Sequence, residues 1–206
     1  MLHYIDHPLI SAELTALRDP KCASYEFRQR VRRIASLMVP AVTADLERTL
    51  VPCTTPLEVT TGESVARQIV LVPILRAGLG FLDGFLDLIP QAAVAHIGLA
   101  RNEKTLIPES YYLRHPTELA EADLILLDPM LATGGSAVQA ITMLMEAGAK
   151  RIRFASLLAA PEGIAAMESA HPHVAVFTAA IDRCLNEKGY ILPGLGDAGD
   201  RLFGTI

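Results

Sequence analysis

One stretch of the chain gathers residue types suited to holding an anion: LILLDPMLATGGSAVQA, residues 124–140. An apolar run ends in Asp128. After Pro129, Met130, Leu131 and Ala132 come Thr133, Gly134, Gly135 and Ser136, which open a segment with helical apolar spacing. Glycines let the backbone come close to a ligand, successive N–H groups point at it, and both hydroxyls can donate, so a terminal phosphate fits. The chain has no lysine from 128 to 136, so a Walker loop fails at its cationic residue. An ionised Asp128 offers only acceptors, which suits the vicinal hydroxyls of a ribose beside the phosphate cradle. The combination implies a ribose 5-phosphate group. Taken alone, the same residues also describe a capped helix after a strand.

Three further places carry chemistry. VPILRAGLGFLDG (72–84) sets Arg76 just before Gly78 and Gly80, a fixed cation beside backbone that can approach a diphosphate. A plain strand-to-helix turn would read the same way. Arg101 opens RNEKTLIPESYYLRHPTEL (101–119), which is polar, proline-punctuated and without period, and is expected to be a flexible loop over the site. Gly194, Gly196 and Gly199 match GxGxxG literally, but only seven residues follow, too few for the helix and strand a dinucleotide site needs. GYILPGLGDAGD (189–200) reads better as exposed backbone donors and acceptors around a small planar ligand.

These motifs need elements to position them. IVLVPIL (69–75), AAVAHIGL (92–99), LILLD (124–128), IRFASLL (152–158) and HVAVFTA (173–179) are apolar without strict alternation, as in parallel strands buried on both faces. Between them, SAVQAITMLMEAG has Val138, Ile141, Leu144 and Met145 at helical spacing with Gly148 to end it, and Pro161 opens a second helix over 161–172. Strand, helix, strand is a βαβ unit. Residues 1–50 predict a helical arm, interrupted at Pro40 and continuing through AVTADLERTL. Residues 186–206 look too rich in Gly and Asp for a regular element. The expected fold is one α/β domain over 1–206, a mainly parallel sheet flanked by helices.

Composition narrows the function. With 206 residues, 51% hydrophobic, 20% charged and a net charge of −5, the chain suits small-molecule chemistry better than nucleic acid or an acidic membrane surface. No apolar run is long enough to span a bilayer. Cys22, Cys53 and Cys184 show no metal spacing and fit a reducing compartment, so a cytoplasmic location is expected. Of the six histidines only His115 falls in a motif. Arg28, Arg30, Arg32 and Arg33 form the densest basic cluster, read as a solvated or intersubunit helix face and not an RNA patch.

DPMLATGGS resembles the phosphoribosyl diphosphate loop of the type I phosphoribosyltransferases, and its Asp-Pro-Met opening resembles their uracil-specific branch. The Arg76 turn, the Arg-Asn-Glu at 101–103 and the C-terminal glycine segment resemble that branch too, in family order. The resemblance implies transfer of ribose 5-phosphate from phosphoribosyl diphosphate to uracil, with Arg76 and Arg101 on the diphosphate. Asp128 through Ser136 would hold the ribose 5-phosphate, and Ile191, Gly196, Asp197 and Ala198 would surround uracil. Asp197 would also face the donor or its magnesium, and Arg76, Asp128 and Asp197 would be the catalytic set. Magnesium is the implied cofactor, carried mainly by the donor and water. A homodimer or homotetramer and a GTP effector are implied as well. Arg114-His115 and Pro40-Ala41 depart from the family's usual Lys-Leu and Tyr-Glu. Two other readings keep the fold: a non-catalytic ligand-sensing or RNA-binding regulator, and the same transfer to a purine or orotate.

Overall fold

The computed structural model describes residues 1–101, 108–116 and 118–205, and at 100, 101 and 108–110 the backbone alone. The chain starts with β1 (Leu2–Tyr4), α1 (Pro8–Arg18) and α2 (Ser24–Thr43), then a hairpin of β2 (Arg48–Thr54) and β3 (Val59–Val65). Next come β4 (Ile69–Leu75), α3 (Gly78–Leu86), β5 (Ala93–Val94), β6 (His96–Arg101) and β7 (Pro108–Arg114). The second half runs β8 (Asp123–Leu127), β9 (Met130–Leu131), α4 (Gly135–Glu146), β10 (Arg151–Ala159), α5 (Pro161–Ala170) and β11 (Ala175–Ile181). It closes with β12 (Cys184–Leu185), β13 (Ile191–Leu192) and α6 (Ala198–Phe203).

The main sheet has the order β1-β11-β10-β8-β4-β6-β7, with β5 beside β4 and β9 beside β10. Every pairing in it is parallel except β6 with β7. The unalternating apolar runs have the predicted cause, since both faces are covered. Ile69, Leu71, Ile125 and Leu127 pack into one apolar cluster with Phe27, Ile34, Met38 and Phe81 from α2 and α3. Val70, Val72, Leu124 and Leu126 pack into the other with Ala137, Ile141, Leu144 and Met167 from α4 and α5. Pro73 sits inside β4 where its ladder ends on β8 and moves to β6, so the missing N–H falls at a change of partner.

Four expectations need correction. Helix α2 runs through Pro40 without a break and ends at Thr43, so of the expected helical residues 41–50 the last three, 48–50, belong to β2 instead. A proline inside a helix costs about 3 kcal/mol. Pro40 itself is exposed, while Met38, Val39 and Val42 around it are buried, each worth about 1.5–3 kcal/mol, so packing wins. Residues 108–114 of the expected loop pair antiparallel with β6, while 102–107 and 117 lie outside the described residues. The C-terminal stretch is not irregular throughout: Asp197 caps α6 by accepting from the Asp200 N–H at 2.9 Å.

Candidate active site

Strands β4 and β8 lie side by side and end at the same edge of the sheet, delivering Arg76 and Asp128 to it. Gly78 permits the junction there, because a Cβ on it would sit 2.5 Å from the Leu127 carbonyl oxygen and 3.0 Å from Pro73 Cα. The loop after Asp128 is braced by β10: the Pro129 carbonyl accepts from the Leu157 and Leu158 N–H groups, and the Leu131 carbonyl accepts from the Ala160 N–H. Met130 and Leu131 pair as β9 with Leu158 and Ala159. Pro129 and Leu131 thus act as scaffold, with Leu131 buried. Gly134 then takes a left-handed conformation (φ +81) as the N-cap of α4, and Thr133, Gly135 and Ser136 surround that helix start. This is the glycine-turned helix start expected from the sequence, with backbone N–H groups of the kind that suit an anion.

A cavity of about 230 Å³ opens beside the loop. Seven of the residues singled out in the sequence line it: Asp128, Met130, Ala132, Ile191, Gly196, Asp197 and Ala198. Ala77, Gly189, Tyr190 and Gly199 complete it. Thr133 stands next to this wall, its Cγ2 3.7 Å from where a Cβ on Gly189 would be. Arg76 does not line the cavity but joins it through α6, its Nη2 lying 3.4 Å from Asp200 Oδ1 and its guanidinium 5.7 Å from the Phe203 ring. The Arg101 side chain lies outside the described residues.

Electrostatically the cavity is unusual for its acids. Burial pushes the Asp128 carboxyl up to about 7, the neighbouring Asp197 carboxylate adds to the rise, and the Met130 N–H, 3.4 Å away, opposes it. Among the described residues no lysine or arginine lies within ion-pair distance of Asp128 or Asp197. Two carboxyl groups with this little compensation are suited to a ligand that brings hydroxyl donors or its own cation.

The structure also uses residues that motif reading passed over. Gly163 of α5 packs on the loop after Asp128, where a Cβ would come within 2.5 Å of the Ala132 carbonyl oxygen and 2.7 Å of that of Leu131. Tyr190 lines the cavity, and Asp200 meets Arg76. Of these only Tyr190 and Asp200 stood inside a flagged motif. The basic cluster of α2 is consumed within the chain: Arg30 and Arg33 pair with Glu13, Arg32 with Asp87, and Arg28 donates to the Leu202 carbonyl.

The family model described as uracil phosphoribosyltransferase matches residues 4–205. A uracil phosphoribosyltransferase of Ligilactobacillus salivarius is 52% identical over 202 residues, covering 98% of this chain and 97% of the relative. One of Clostridium beijerinckii is 54% identical over the same length and shares. Among solved structures, a protein of Aquifex aeolicus superposes with a TM-score of 0.93 at 35% identity, covering 98% of each chain. The adenine phosphoribosyl transferase of Trypanosoma brucei shares the fold, with a TM-score of 0.58 at 14% identity over 87% of this chain and 83% of that one.

Proposed function

The chain belongs to the uracil phosphoribosyltransferase family, and on that premise we propose how its residues carry the transfer. The protein moves the ribose 5-phosphate group from phosphoribosyl diphosphate to N1 of uracil, giving UMP and diphosphate, a pentosyl transfer of pyrimidine salvage. The bond from C1′ to N1 forms, the bond from C1′ to the diphosphate oxygen breaks, and the N1 proton is lost to solvent.

The observation that carries the residue assignment is the shared cavity, where the end of β8, the phosphate loop and the C-terminal glycine segment meet. Thr133 to Ser136 hold the 5-phosphate at the start of α4, and Asp128 accepts from the ribose hydroxyls. Arg76 and Arg101 take the diphosphate. Departure of that group leaves a cationic, oxocarbenium-like sugar, so the protein's work is to neutralise leaving-group charge and hold the base close. No covalent nucleophile is required. Ile191, Gly196, Asp197 and Ala198 present backbone groups to the alternating carbonyls and imide N–H of uracil. A base with the wrong donors would leave buried groups unpaired, which disfavours cytosine.

Magnesium fits this donor set, since Asp128 and Asp197 are hard oxygen ligands lacking a cation partner among the described residues. Bound mainly by the donor and water, it would neutralise diphosphate charge. A homodimer or homotetramer is supported by the β2–β3 hairpin, which exposes Leu50, Leu57 and Val59 and as a lone two-stranded ribbon has little stability of its own. The resemblance alone supports a GTP effector. Three free cysteines support a cytoplasmic location, and no described helix is long and apolar enough to cross a membrane.

The direct test is purified protein with radiolabelled uracil, phosphoribosyl diphosphate and magnesium, with cytosine, hypoxanthine and orotate alongside. UMP from uracil alone is the expected result. Donor binding without product, with or without GTP, would move the protein to the regulator reading.

A further inference from the structure

The segment that faces the base has little regular structure of its own. Between Ile191 and Gly196 the chain has only the two-residue strand β13, paired with β12. What shapes it is a charged pair outside the cavity. Arg18, the last residue of α1, meets Asp182, just past β11, with Nη1 to Oδ2 at 2.8 Å and Nη2 to Oδ1 at 2.7 Å. The Asp182 carboxylate is almost fully buried, at 7% side-chain exposure.

Both members of the pair also grip Gly194. Its N–H donates to Asp182 Oδ2 at 2.8 Å, and its carbonyl accepts from Arg18 Nη1 at 2.7 Å. Gly194 is left-handed (φ +62), and a Cβ there would collide with the Ile191 carbonyl oxygen. The ion pair and the glycine therefore specify one backbone path between two cavity-lining residues. Arg201 repeats the arrangement one residue on, donating to the Leu195 carbonyl at 2.7 Å and to the Asp19 carbonyl at 2.6 Å. Its guanidinium lies 4.5 Å from the Phe27 ring. The C-terminal end of α1 is thus the anchor for the base segment.

We propose that Arg18 and Asp182 are positioning residues for the base: by fixing Gly194 they set where the backbone groups of 196–198 meet the polar edge of uracil. The selectivity for uracil over cytosine is then set by an ion pair that never touches the base. A bidentate guanidinium–carboxylate pair suits this role because it fixes direction as well as distance. The inference rests on the reading that Ile191, Gly196, Asp197 and Ala198 hold the base, and the test separates the two.

Steady-state kinetics are measured for Asp182→Asn, Arg18→Lys and, as a control within the cavity, Gly196→Ala. Asp182→Asn is expected to raise KM for uracil about tenfold, with kcat and KM for phosphoribosyl diphosphate within about twofold, and to raise the relative use of cytosine. Arg18→Lys, which keeps the charge but loses the fork, falls between it and the parent. A merely structural pair would lower Tm and the active fraction while leaving KM for uracil unchanged. If Gly196→Ala raises KM for uracil and neither ion-pair variant does, the positioning role is overturned. If none of the three changes it, the base reading itself fails. Should Asp182→Asn not fold, Arg18→Lys decides alone by the same split.

Discussion

Strand β8 carries an aspartate at each end, and the two live in opposite surroundings. Asp123, its first residue, is buried near Arg151 Nε at 3.7 Å and Arg67 Nη1 at 4.0 Å. It lines a cavity of about 360 Å³ whose other walls include Asp45, Glu47, Lys150 and Arg153. There acids and bases stand side by side, Arg153 paired with Asp45 and Arg67 with Glu47, both at 2.5 Å, although Asp123 Oδ2 itself has no hydrogen-bond partner among the described residues. Asp128, directly after the strand, faces the smaller cavity with a carboxyl raised to about 7 and no cation partner among the described residues. The larger cavity holds paired charges, while the smaller one, which carries the proposed site, has its charge left for a ligand to complete.

The sharpest way to break this comparison is to remove the charge at each end. Asp128→Asn keeps an acceptor but loses a charge-assisted hydrogen bond worth about 1.5–3 kcal/mol, so donor affinity should fall about 10- to 100-fold while the fold holds. Asp123→Asn should do the reverse. It removes a buried charge that lies 3.7 Å from Arg151 and 4.0 Å from Arg67, which keep the Ala120 carbonyl and Glu47 as partners, so stability should fall by up to about 1 kcal/mol with KM for both substrates nearly unchanged. Calorimetric binding of phosphoribosyl diphosphate and urea denaturation on both variants give the four numbers. Equal effects on binding would erase the distinction.

A smaller contrast is available with arginines. Arg76→Lys replaces a fork by a point charge next to the proposed diphosphate site and should lower kcat/KM for the donor about tenfold. Arg67→Lys at the amino end of the sheet should leave it within about twofold. Near-normal activity of Arg76→Lys would remove Arg76 from its assigned role.

Much of this contrast was legible in the sequence, and the reason is local. β4, β8, β10 and β11 announce themselves as apolar runs because both of their faces are covered, and DPMLATGGS is a contiguous loop whose glycines serve one turn. The hairpin of 48–65 was not legible, because its exposed strands have no buried face to impose a period. Pro40 misled because a local cost says nothing of the packing that offsets it. Arg18 with Asp182 and Arg201 with Leu17 join positions 164 and 184 residues apart, and composition or spacing has no way to record such a partner. Site chemistry was local; the support that aims it was not.

The pH dependence sharpens the comparison further. Asp128 holds its proton up to about 7 in the folded chain but only to about 4 when unfolded. The folded state therefore binds more protons between these values, and stability falls as pH rises through that window, by at most about 1.4 kcal/mol per unit. Donor binding, which favours the carboxylate, should instead strengthen from pH 6 to 8. Asp128→Asn should flatten both trends, seen in Tm and in Kd across pH. A wild-type Tm that climbs relative to this variant between pH 4 and 7 would contradict the raised carboxyl.

Asp45 gives the smallest effect and the opposite sign. The hydrogen bond from Arg153 holds its carboxyl below the usual range, with burial opposing and the Arg153 charge assisting. A lowered group stabilises above its unfolded pKa and loses that contribution as pH falls through its folded one. The Asp45 side chain is 72% exposed, so solvent screening limits the pair to about 0.2–1 kcal/mol. Asp45→Asn should lower Tm slightly at pH 7, and the difference should vanish as the medium is acidified below pH 4, where Asp128 is fully protonated in both proteins. One end of the sheet would then lose stability towards acid and the other towards base. If the Asp45 difference grew on acidification, the amino end would not be the ion-paired counterpart that the contrast requires.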